Sequence, residues 1–82
     1  MTWFEAEQID LYVQKMEHLL DEWRLSPAEM RIEDSQLSRV MQKVEVVSND
    51  DTNNPLLRGY LAEMRLRIDH CRGQIQERLK RK

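Results

Sequence analysis

Cysteine, proline, glycine and aromatic residues are all scarce in this sequence: one, two, two and five among 82 residues. A lone cysteine, Cys71, excludes an intramolecular disulfide and a four-thiolate zinc site. No apolar run approaches the ~18 residues that a membrane-spanning helix needs. The first residues lack the basic-then-apolar pattern of a secretory leader, so a cytoplasmic protein with no membrane partner is expected. There is no glycine-rich phosphate loop and no Ser/His/Asp arrangement. The acidic loop residues Asp50, Asp51, Asn53 and Asn54 lack the alternation, the glycine and the closing Glu of a calcium loop.

The residues that do suggest chemistry are few. Asp69-His70-Cys71 is the one cluster with catalytic residue types. Cys71 falls on an apolar helical stripe, and neighbouring helix positions point about 100° apart, so His70 cannot readily activate it. His18 and His70 are too few for a metal site. No catalytic residue, cofactor, metal or small-molecule ligand is assigned, and a non-enzymatic protein is expected.

What is abundant is charge, 34% of the chain, and it is unevenly placed. Residues 1–55 hold twelve acids and five bases, a balance of −7, whereas residues 56–82 hold three acids and eight bases, +5, giving the net −2. Two opposed parts can attract each other within one fold or attract separate partners.

The pattern is helical between two clusters of turn formers. Thr2 and Glu5 fit a capping box, and Ile9, Val13, Met16, Leu20 and Trp23 recur in steps of four and three, which predicts a helix over about 3–25. Ser26-Pro27-Ala28-Glu29 repeats the start signal, with proline where its missing N–H is harmless. A second helix is expected over 27–47, fraying at the β-branched Val44, Val46 and Val47, or restarting at Ser35. A polar loop over 48–54 ends at Asn54-Pro55, which starts a third helix over 55–80. Gly59 and Gly73 inside it suggest close approach of a neighbour. The fold expectation is one all-α domain over 1–82, a three-helix bundle or extended helical hairpin with long first and third helices.

Leu57, Leu61, Met64, Ile68, Cys71, Ile75 and Leu79 approach a heptad seam. Twenty-six residues span about 39 Å, against a diameter of roughly 30 Å for a compact chain of this size. Part of the seam therefore calls for a second chain, or for an elongated bundle that covers it. With Leu57, Met64 and Cys71 at d, the residues Arg58, Arg65 and Arg72 line e, and Arg67 lies at g. Such a helix repels a copy of itself. Asp10 and Glu17 of the first helix lie at e, which suits antiparallel pairing with the Arg row. An up-down-up bundle makes those two helices parallel instead.

The expected function is a protein-interaction module: a small adaptor, chaperone or regulatory subunit. It binds an acidic amphipathic helix, or a second copy, through helices three and one. Leu61, Met64, Ile68, Ile75 and Leu79 supply apolar contact. Arg58, Arg65 and Arg72 select the partner, and Trp3, Phe4 and Trp23 anchor it. The alternative is a small nucleic-acid-binding or transcription-regulating protein using the basic third helix and the tail Arg78, Lys80, Arg81 and Lys82.

Overall fold

A computed structural model of the chain describes residues 2–49 and 54–80. Its elements are α1 (Trp3–Asp21), α2 (Pro27–Ser48) and α3 (Pro55–Lys80). Among the described residues 89% are helical and none is in a strand. None of these helices is long and apolar enough to cross a membrane. Loop residues 50–53 and tail residues Arg81 and Lys82 lie outside the described set.

The helix starts follow from their caps. The Thr2 hydroxyl accepts the Glu5 N–H at 3.2 Å, but Glu5 reaches that hydroxyl rather than the Thr2 backbone, so the box is half formed. At α2 it is complete: Ser26 Oγ accepts the Glu29 N–H, and Glu29 Oε1 accepts the Ser26 N–H, both at 3.2 Å. These bonds hold the Glu29 carboxyl below its usual range. Asn54 Oδ1 accepts the Leu56 N–H at 2.8 Å to open α3. α2 runs without a break past Ser35 and through its valines to Ser48.

α1 is shorter than its apolar spacing suggests. It stops at Asp21 because the backbone turns left-handed at Trp23, φ 56°. The Trp23 N–H donates to the Leu20 carbonyl (3.2 Å) and the Arg24 N–H to the Leu19 carbonyl (3.0 Å). That pair of bonds is a Schellman closure, a place usually held by glycine. Trp23 therefore leaves the apolar stripe and is two-thirds exposed.

The helices form an up-down-up bundle 45 × 18 × 16 Å, with a radius of gyration of 13.4 Å. α3 is its spine. Leu57, Leu61, Met64, Ile68, Cys71 and Ile75 are all buried, against Ala6, Val13, Met16 and Leu20 of α1 and Met30, Leu37 and Val44 of α2. Burying side chains of this size contributes roughly 1.5–3 kcal/mol each. No polar or charged residue is buried among those described. The elongated shape lets α1 and α2 flank α3 over most of its length, so the third helix is not too long for the chain. Gly59 and Gly73 are not close-approach points: a Cβ at either would meet nothing within 4 Å.

Candidate interaction surface

The apolar seam of α3 is closed by the chain itself. Leu61, Met64, Ile68 and Ile75 are at most 1% exposed, and Leu79 is half-buried against the same core. They cannot present an open groove to a foreign helix, which corrects the expectation drawn from the heptad pattern.

The Arg row is corrected too. Arg58 Nε donates to the Ser48 carbonyl (3.2 Å), Arg65 Nε lies 3.6 Å from Glu45, and Arg72 Nε donates to Asp34 Oδ1 (3.1 Å). All three partners are on α2, which runs antiparallel to α3, so e meets e there. Arg72 Nη1 also reaches the Met41 sulfur at 3.9 Å. The row expected to choose a foreign partner faces α2 of the same chain.

The α1–α3 conflict dissolves in the same way. Those helices are parallel, and in a parallel pair g meets e. Arg67, at g, donates to Asp10 Oδ1 (2.8 Å) and clamps Glu17 through Nε (3.3 Å) and Nη2 (2.6 Å). These bonds, first to Glu17 and then to Asp10, raise the guanidinium pKa further. The Tyr60 hydroxyl and Gln14 also donate to Asp10. The Tyr60 bond, followed by Arg67 and Gln14, holds the Asp10 carboxyl below its usual range against the opposing effect of burial. Tyr60 is pushed up to about 12 by the same bond.

The three aromatic anchor candidates lie apart from the seam. The Trp3 ring packs on Tyr60, centroids 5.8 Å apart and planes at 55°, and stays partly exposed. Phe4 is open to solvent. Trp23 lies under the Arg78 guanidinium, 3.7 Å from the ring centre, a cation–π contact at the far end of the bundle. The structure does not bring the three together.

It does bring both histidines to one polar cleft of about 530 Å³ between α1 and α3, with Glu17, Asp21, Trp23 and Arg78 among its walls. His18 Nε2 lies 3.0 Å from Glu22, and His70 Nε2 lies 2.9 Å from the Gln74 amide nitrogen. Among the described residues, no three His, Cys, Asp or Glu are placed to hold a metal ion. Cys71 is buried, and burial pushes its thiol up to about 11, protonated and unreactive at neutral pH.

A surface missed by the heptad argument lies between α1 and α2. Each packs chiefly on α3, and they meet each other more sparsely. Polar contacts between them include Tyr12 OH to Glu33 (2.8 Å) and Lys43 to Glu5 (3.9 Å). Between their other ends lies a cleft of about 260 Å³ over Met16, Leu19, Leu25 and Ile32, with Lys15 and Glu29 at its edge. Ile9, Tyr12, Leu19, Leu25, Val40 and Val47 are only partly buried. Ile32 and, two heptads on, Val46 are largely exposed, as are Phe4 and Leu11 one heptad apart on α1. Of these four, Ile32 lines the cleft, whereas Phe4 and Leu11, at f, and Val46 stand on the sides of their helices turned away from the core. The cleft was hidden in the sequence because Ile32 does not fall on the stripe of its own helix and Leu25 lies between helices.

No family model, curated protein or solved structure matches the chain.

Proposed function

We propose that the chain is a non-enzymatic protein-interaction module, an adaptor, chaperone or regulatory subunit, that docks an apolar helical surface across the α1–α2 face. The observation carrying this reading is the open cleft over Met16, Leu19, Leu25 and Ile32 between the more sparsely joined pair of helices, with Ile32 largely exposed at its edge. Apolar side chains scattered singly are ordinary; an incompletely closed groove lined by them marks an interface. Helix-in-groove docking lays the apolar face of a partner helix into such a groove.

The nucleic-acid alternative has less support. Arg58, Arg65, Arg67, Arg72 and Arg78, five of the eight bases in residues 56–82, face groups of this same chain.

The test is affinity capture from the source cell with immobilised chain and quantitative mass spectrometry. Ile32→Glu, in the cleft, is expected to release the captured protein. Leu66→Glu, on the outer side of α3 and similarly exposed, is expected to retain it. Equal retention by both variants overturns the reading.

A further inference from the structure

Ile32 is a wall shared by two depressions. On one side of it lies the apolar cleft over Met16, Leu19 and Leu25, about 260 Å³. On the other lies a shallow hollow of about 380 Å³ on the outer surface of α2, between Arg31, Ser35, Gln36 and Arg39. The cleft is smaller than the ~300–1,000 Å³ typical of small-molecule sites. Its size fits one or two apolar side chains of a larger partner.

The charges around Ile32 divide by whether the chain already engages them. Glu33 accepts the Tyr12 hydroxyl, and Glu29 closes the α2 capping box at the positive end of that helix's dipole. Lys15, Arg31 and Arg39 are exposed and have no hydrogen-bond or ion-pair partner among the described residues. The bases here therefore outnumber the acids, and only the acids are engaged. Arg31, Ser35 and Arg39 follow one another in four-residue steps, so the two arginines rise from one side of α2, about 12 Å apart along its axis. Lys15 stands on the opposite wall of the cleft, on α1.

An apolar cleft with unengaged cations on both walls has a defined complement. Resting on the interaction reading above, we infer that the partner segment is an acidic amphipathic helix. Its apolar side chains enter the cleft against Met16, Leu19, Leu25 and Ile32. Asp or Glu residues about two turns apart on one edge meet Arg31 and Arg39, and an acid on the other edge meets Lys15. A nucleic acid satisfies the cations but leaves the apolar cleft unfilled, so the peptide is the better match.

The test titrates the full chain with two labelled amphipathic peptides of about five turns, followed by fluorescence anisotropy. Both carry the same leucine face; one is flanked by Glu and the other by Lys. The Glu peptide is expected to bind at least about tenfold more tightly, a preference that shrinks as salt is raised. Arg31→Glu with Arg39→Glu is expected to abolish or reverse the preference, with helicity by circular dichroism unchanged. Arg31→Gln with Arg39→Gln is expected to reduce it without reversing it. Ile32→Glu is expected to weaken the binding of the Glu peptide, and Leu66→Glu to leave it intact. Equal binding of the two peptides overturns the proposal. So does a preference that survives Arg31→Glu with Arg39→Glu, or a DNA duplex bound more tightly than the Glu peptide at the same salt. If Arg31→Glu with Arg39→Glu still retains the captured protein that Ile32→Glu releases, the acidic partner falls and the interaction reading stands.

Discussion

Trp23 sits at φ 56°, where a bulky side chain raises the energy by roughly 1–2 kcal/mol. What offsets this is the Schellman closure and the Arg78 guanidinium on its ring, the latter worth about 0.5–1 kcal/mol at an exposed site. Trp23→Ala keeps the strained backbone and loses the stacking, whereas Trp23→Gly also loses the stacking but removes the strain. The glycine variant is therefore expected to exceed the alanine variant by about 1 kcal/mol in urea unfolding. Asp10 gives a second prediction. Its folded-state pKa is depressed, chiefly by the Tyr60 bond, so its contribution is full above the unfolded value of about 4 and fades as pH falls through the lower folded value. Asp10→Asn removes that contribution. The variant should be less stable than the parent near neutral pH, and the gap should narrow in melts taken at progressively lower pH below about 4. A gap independent of pH would assign the loss to packing instead.

At the scale of the helix, the glycines of α3 carry a conformational penalty that nothing in the single chain requires. Gly59 and Gly73 are exposed, with negative φ and empty space where a Cβ would stand. Gly59→Ala and Gly73→Ala should each stabilise the chain by about 0.5–1 kcal/mol. Their effects should add in the double variant, because fourteen residues place them about 21 Å apart. Denaturant midpoints of the two single variants and the double variant check both statements. Start signals and the apolar period were readable here because they are local: Ser26 to Glu29 closes its own box, and the spacing from Leu57 to Ile75 names one face. The end of α1 was not readable. Met16, Leu20 and Trp23 keep helical spacing, and only the backbone at Trp23 departs from it. The Arg partners were also out of reach. Whether g meets e or e meets e depends on which helices run parallel, a property of the assembled bundle.

For the whole molecule, the deciding comparison is between helix length and chain size. A seam longer than a compact 82-residue chain can cover implies a partner; a bundle drawn out to 45 Å removes that implication. Ile75, near the far end of α3, separates the cases. If only a second chain covered it, Ile75→Ala would leave a dilute monomer as stable as before. In the structure Ile75 is fully buried within one chain, so truncation leaves a cavity and should cost about 2–5 kcal/mol. That is a large share of the roughly 4–12 kcal/mol expected for a domain of this length. The opposed charge of the two parts acts in the same direction. Residues 56–82 pair with residues 1–55 through Arg67, Arg72 and Arg65, so part of the opposed charge is satisfied within the one chain. The measurement is urea unfolding of Ile75→Ala at two widely separated chain concentrations. A large loss that is the same at both places Ile75 in the core of the single chain, whereas a loss seen only at the higher concentration would make its burial depend on a second chain.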